Sequence, residues 1–342
     1  MEPSLSTSHS DPAQDAAQQP RLTAVWLFII GVLTIETALQ FLPEGFMTRT
    51  LVHRTEEMRY LPPTEIQLMG DSATSAIRAG LLEHAIGTGH TIGNYSLPGT
   101  APMFSYFLLR RQVAAEKVPK TIILAPNPFT WGDPMLDRFL GRFATPAESL
   151  EFLRDQRNLG TWLYGSLCKI SYTLRYREEL YKLVTAGDLS HFATFERPVS
   201  SVQNTRAKIT PAELRPAEPK KSVLDPGNIP PLIRSPMRIH PYNEYYLDKL
   251  CALAGANGIR IVWITLPVPE SLHPGEARTA TYTSFIERMK SRHSNLFTIA
   301  PGVPTMPDAY YSDPWHMNPF GAWVFSERAG SQLTEWLRAN PR

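Results

Sequence analysis

Three side chains of this chain have the types and the spacing for acyl-transfer chemistry: Ser72, Asp313 and His316. Ser72 closes the tripeptide Gly70-Asp71-Ser72, just past the alternating apolar pair Ile66 and Leu68. A serine hydroxyl attacks a carbonyl only when a base takes its proton, and an imidazole does this best when a carboxylate holds it. Asp313 and His316 supply such a pair in Tyr310-Tyr311-Ser312-Asp313-Pro314-Trp315-His316-Met317-Asn318. Three residues apart around a proline, the carboxylate can fix the ring tautomer while the other nitrogen faces Ser72. Plainer readings compete at both places. Asp71 or Ser72 can simply cap a helix, and Asn318 before Pro319 can do the same at the end of an ordinary polar loop.

The elements around these residues decide whether they can meet. Short apolar runs at 65–69, 91–95, 120–125, 259–266 and 295–299 read as strands, and helical spacing recurs at 73–86, 102–116, 242–256, 279–292 and 319–338. Strand and helix in alternation predict parallel β-α-β units and a three-layer α/β/α sandwich with a five-stranded parallel sheet. Ser72 then lies where the first strand hands over to a helix, and Asp313 and His316 lie in the loop before the last helix. Ligands of open parallel sheets bind beyond the carboxyl ends of the strands, and a helix N-terminus offers N–H groups to an oxyanion. Residues distant in sequence can therefore converge on one sheet edge.

An insert at about 133–241 interrupts the alternation. Its first part, to 185, reads as helical and the rest as largely irregular, in keeping with the many prolines between 198 and 241. Leu163, Leu167, Ile170, Leu174, Tyr181 and Val184 share one helical face. The plain reading packs that face on the sheet domain; the functional readings are an active-site lid or a membrane-surface helix. The bases Arg206, Lys208, Arg215, Lys220 and Lys221 read as solvated loop charges, with contact to an acidic glycan as the functional alternative.

At the N-terminus, residues 1–21 read as a disordered tail. The segment 22–42, LTAVWLFIIGVLTIETALQFL, has the length of a bilayer span and one charge, Glu36, with no small-residue cleavage site after it. It reads as an uncleaved transmembrane anchor, with a buried core helix as the alternative. An ionisable group inside such a helix usually meets a partner or water. Arg49, Arg54 and Arg59 follow the segment while Arg21 precedes it, a balance that by itself places the following domain in the cytoplasm. With 342 residues and a formal charge of +2, the chain carries no nucleic-acid motif, dinucleotide fingerprint, phosphate loop or clustered metal ligands. Cys168 and Cys251 form no framework. No cofactor, no metal and no nucleic-acid partner are expected.

Gly70-Asp71-Ser72 and Asp313-Pro314-Trp315-His316 resemble the first and last blocks of the SGNH or GDSL-type hydrolases and acyltransferases. Gly99, in Asn94-Tyr95-Ser96-Leu97-Pro98-Gly99-Thr100, matches the family's glycine after strand two, and Asn127, in Ala125-Pro126-Asn127-Pro128, its asparagine after strand three, although the usual G-x-N-D is absent. The resemblance spans roughly residues 60–130 and 240–340. It implies an SGNH/flavodoxin-like fold, a Ser72–His316–Asp313 triad, and an oxyanion hole from the Ser72 and Gly99 amides with the Asn127 side chain. No G-x-S-x-G surrounds any serine, which argues against the α/β-hydrolase alternative.

An N-terminal anchor followed by such a domain is similar to the bacterial proteins that acetylate exopolysaccharides or load D-alanine onto teichoic acid. The resemblance implies a single-pass protein of the bacterial inner membrane with its 1–21 tail in the cytoplasm and its catalytic domain in the periplasm, against the arginine count. It also implies a cell-envelope glycan or another acyl acceptor, and a multi-pass membrane acyltransferase as acyl supplier. In the alginate type the acidic and basic residues precede the serine, whereas here they follow it. Two enzyme outcomes stay open, O-acyl transfer (acetyl above all) and plain ester hydrolysis. A non-catalytic envelope scaffold or glycan-binding protein that keeps the fold is the third reading.

Overall fold

The computed structural model describes residues 12–40, 64–87, 90–97, 102–132, 139–177, 181, 185, 216–219, 222, 224, 233, 237–300 and 302–341. Five strands form one parallel sheet: β1 (Ile66–Met69), β2 (Ile92–Asn94), β3 (Thr121–Leu124), β4 (Arg260–Ile264) and, after a short β5 (Val268–Pro269), β6 (Leu296–Ile299). The order is β2-β1-β3-β4-β6, every neighbouring pair parallel. This is the doubly wound order in which the chain reverses its direction of growth between β1 and β3. The first loop residues after these two strands therefore border the crevice.

Alternation along the strands builds the two faces. Ile122, Leu124, Ile261 and Trp263 point into one buried cluster, covered by α4 (Pro102–Ala114), α8 (Pro241–Ala256) and α9 (Glu276–Arg292). Ile66, Leu68, Ile123, Val262 and Ile264 point into the other, covered by α3 (Ala79–Ile86) and α10 (Pro319–Ala339). The other α-helices among the described residues are α1 (Pro12–Gln40), α2 (Ser72–Ser75), α5 (Pro146–Gln156), α6 (Leu159–Ile170) and α7 (Tyr172–Arg175). The molecule is thus an α/β protein around a five-stranded parallel sheet.

Four features differ from the sequence reading. The helix expected over 73–86 is broken into α2 and α3, because the backbone groups freed at the break find tertiary partners. Arg78 N donates to Ser326 Oγ at 3.0 Å, and Asn94 Nδ2 donates to Ile77 O at 3.2 Å. A small second sheet pairs β5 with β7 (Thr305–Met306). The tail expected to be disordered to residue 21 is helical from Pro12, where a proline suits the first helical turn and the Ala/Gln-rich sequence after it favours helix. Finally, the apolar face of the insert does not pack on the sheet. Leu163, Leu167, Ile170 and Tyr181 are exposed. α6 turns Gly165 and Cys168 inward, where a Cβ on Gly165 would stand 2.5 Å from Leu140 Cβ. Small residues allow that close approach, so the large ones are left on the far side. Val184 and the bases Arg206, Lys208, Arg215, Lys220 and Lys221 lie outside the described residues.

Among the described residues no helix is long and apolar enough to cross a membrane. The described side chains of α1 run from 23 to 39, so the anchor expected at 22–42 reaches past them at both ends. Glu36 on α1 meets the insert: its carboxylate accepts hydrogen bonds from Ser171 Oγ and Tyr172 N, both at 2.8 Å, at the start of α7.

Candidate active site

The turn that presents Ser72 is fixed from both sides. β1 ends at Met69, and Gly70 lies so close to Thr74 that a Cβ there would stand 2.0 Å from Thr74 Oγ1. Thr74 Oγ1 in turn donates to Ala125 O at the end of β3. Asp71 is the N-cap of α2, accepting from Ala73 N at 2.9 Å and Thr74 N at 3.4 Å. The capping role therefore falls to Asp71 and leaves the Ser72 hydroxyl available for another partner. Asp71 is buried, and burial pushes its carboxyl above the usual range although Thr74, Thr130 and Ala73 bond to it.

The loop before α10 is held as a closed hairpin-like turn. Tyr311 and Met317 form an antiparallel bridge, Ser312 N donates to His316 O at 2.9 Å, and Asn318 N donates to Tyr310 O at 2.9 Å. Asn318 also caps α10, accepting from Phe320 N and Gly321 N, while its Nδ2 donates to Ala309 O at 2.7 Å. Gly321 permits the close approach of helix and loop, since a Cβ there would lie 2.2 Å from Tyr310 O.

This scaffold brings Ser72 and His316, 244 residues apart, to 2.7 Å between Oγ and Nε2. On the other side of the ring, Nδ1 stands 2.8 Å from Asp313 Oδ2 and 3.0 Å from Oδ1. Asp313 Oδ1 accepts two further bonds, from Trp315 N at 2.8 Å and His316 N at 2.9 Å, which orient the carboxylate before any substrate arrives. A proton on Nδ1 directed at Asp313 leaves the Nε2 lone pair for the Ser72 hydroxyl. Both His316 and Asp313 are part-exposed, so the group opens to solvent. The arrangement can deprotonate a serine at a sheet edge.

Asn127 is buried beside this group. Its Nδ2 donates to Trp315 O at 3.2 Å, one residue before His316, and its Oδ1 accepts from Phe129 N at 2.9 Å. Gly99 lies outside the described residues, although Leu97 N donates to Gly70 O at 3.0 Å and so ties the preceding segment to the Ser72 turn.

Two features had no signal in the sequence. Thr130 Oγ1 sits 3.1 Å from Asp71 Oδ2 and 2.9 Å from Asn127 O, linking the serine turn to the asparagine turn. Phe129 meets Trp315 edge to face with ring centres 5.8 Å apart, and the Arg278 guanidinium lies 5.2 Å from the Phe129 ring centre. Only the local pattern Asn-Pro-Phe-Thr hinted at a turn, and nothing in it named the partners. Among the described residues no group of three or more His, Cys, Asp or Glu side chains is placed to hold a metal ion. No protein-family model matches this chain, and no curated protein sequence matches it either.

Proposed function

We propose that this chain is a membrane-anchored serine-dependent O-acyl transferase or esterase that works on a cell-envelope polysaccharide through an acyl-enzyme. One observation carries the reading: the Ser72 hydroxyl 2.7 Å from an imidazole whose other nitrogen is held at 2.8 Å by a carboxylate. Ser72 Oγ attacks the acyl carbonyl as His316 Nε2 takes its proton, and the leaving alkoxide recovers that proton from His316. An acceptor hydroxyl then repeats the exchange and releases the new ester, or water releases the acid. Asp313 holds His316 in the tautomer this needs. The N–H of Ser72 at the start of α2 and the Asn127 side chain are the candidate oxyanion donors. An amide nitrogen carries two hydrogens, so one remains after Trp315 O is served.

The resemblance to SGNH-type proteins supports the acyl chemistry, a periplasmic domain and a multi-pass acyltransferase as partner, and the apolar segment at 22–42 supports the anchor. The test treats the full-length chain in detergent with a fluorophosphonate, which loses fluoride as the serine oxygen bonds to phosphorus. Intact mass and peptide mapping should show one adduct, at Ser72, absent from Ser72→Ala and His316→Ala. A folded, monodisperse chain that takes no label refutes the triad and leaves the scaffold reading.

A further inference from the structure

The insert helix α6 carries an apolar stripe that faces away from the protein. Leu159, Leu163, Leu167 and Ile170 are 61%, 50%, 44% and 75% exposed. At roughly 100° per residue they fall within an arc of about 80°. The two residues α6 buries, Gly165 and Cys168, lie on nearly the opposite side, against the turn Phe139–Phe143. A four-residue stripe running most of the length of one helix exceeds the scattered apolar exposure of an ordinary surface.

Its position relative to α1 says what covers it. Ile170 immediately precedes Ser171 and Tyr172, the residues whose Oγ and N bond the Glu36 carboxylate at 2.8 Å. Glu36 follows the exposed apolar side chains described on α1 from Val25 to Ile35 and falls within the apolar segment 22–42. With the anchor at 22–42 in a bilayer, Glu36 lies six residues, roughly 9 Å, inside its C-terminal end and holds the C-terminal end of α6 near the headgroup boundary. Arg154 and Arg157 are exposed just before the other end of α6, as suits anionic headgroups.

We infer that α6 lies in the surface of the same membrane that α1 enters, its Leu159–Leu163–Leu167–Ile170 stripe sunk into the lipid boundary and the catalytic domain thereby held against the bilayer. The inference rests on the anchor reading of α1. It makes the insert a second membrane contact, and it assigns the amphipathic face that packing left unpartnered to lipid.

The experiment reconstitutes the full chain in phosphatidylethanolamine/phosphatidylglycerol liposomes with a nitroxide at one engineered cysteine: Leu163→Cys, Val32→Cys, or Ser331→Cys as the aqueous reference on α10. The native Cys168 and Cys251 are buried and so escape the label. Collision with oxygen and with a water-soluble nickel chelate reads the depth, and circular dichroism with a cooperative thermal transition verifies that each variant is folded, so that failure of the Ser72 chemistry leaves this readout intact. The expected result is an oxygen-to-nickel ratio several-fold above that of Ser331→Cys at position 163, and higher still at position 32. A lipid-like ratio at 32 with an aqueous one at 163 overturns the placement of α6 while leaving the anchor. An aqueous ratio at 32 overturns the anchor and this inference with it. Liposomes of phosphatidylcholine alone give the second reading: lipid depth at 163 should shrink when the anionic lipid is withheld, and an unchanged depth would refute the contribution of Arg154 and Arg157.

Discussion

Replacing Asp313 by asparagine separates the chemistry of the acidic loop from its architecture. Asp313 Oδ1 serves Trp315 N and His316 N, so an asparagine amide must place its oxygen there, and its nitrogen falls where Oδ2 stood, 2.8 Å from His316 Nδ1. An amide nitrogen only donates, which forces Nδ1 to accept and moves the ring proton to Nε2, facing Ser72. The base is then lost although every heavy atom stays in place. A wrong-tautomer imidazole in a serine triad slows reaction by about 10⁴-fold, or about 5.4 kcal/mol of barrier. Stability should change far less. Two bonds to a carboxylate become bonds to a neutral carbonyl at about 1 kcal/mol each, and solvent reaching the part-exposed side chain lowers the sum to about 1 kcal/mol. The assay is the second-order rate of fluorophosphonate labelling at Ser72, with thermal denaturation alongside. Asp313→Ala, which leaves both loop N–H donors without their acceptor, should show a similar rate deficit with a larger loss of stability. Labelling of Asp313→Asn within tenfold of the native rate refutes the tautomer argument outright.

Three other perturbations test neighbouring parts. Asn127→Ala should lower the hydrolysis rate of p-nitrophenyl acetate by about 10²-fold, the worth of one oxyanion donor; an unchanged rate would leave Asn127 as the support of Trp315 alone. Gly321→Ala puts a methyl against Tyr310 O and should destabilise the chain by about 2 kcal/mol while slowing Ser72 labelling, because the loop that carries His316 must move; native labelling at native stability would contradict the close approach. Lys249→Met addresses the ion network that ties α5 to α8. Burial alone would raise the Glu151 and Asp155 carboxyls, but bonds from Lys249, with Arg110 on Glu151, hold both below the ordinary range. Carboxyls lowered in the folded state stabilise it above their unfolded pKa, near 4, and lose that contribution as the pH falls through their folded values. The melting-temperature gap between native and Lys249→Met should therefore be widest near pH 7 and narrow below about pH 4; a gap constant over that range would show that Lys249 acts by packing on Tyr106 instead.

The sheet was legible because its central strands are buried on both faces and so read as short apolar runs, as at Thr121–Leu124 between Pro119 and Pro126. The convergence of Ser72, Asp313 and His316 was legible for a related reason, since parallel topology sends the loops after β1 and β6 to one edge whatever their separation in sequence. What escaped depends on partners that local pattern does not encode. The break between α2 and α3 is settled by Asn94 and Ser326, and the Thr130 link between Asp71 and Asn127 by a turn two strands away. The face of α6 stayed ambiguous because a stripe that packs on a core and a stripe that stays exposed have the same period. Gly165 and Cys168, the residues this helix buries, lie on the other side and carry the distinction.

The bond from Glu36 to the start of α7 changes how reach should be understood. A chain as long as 41–63 could stretch to about 80 Å, enough for a tethered enzyme to sweep a wide volume above its anchor. With α1 docked on α7, the covalent connection no longer sets that distance. On the anchor reading α1 would act as a strut, and the Ser72–His316 site would work at one fixed height and one bearing, like a tool on a bench and unlike one on a cord. Substrates would have to be brought to it, which favours a donor that stands in the same membrane over one that diffuses freely.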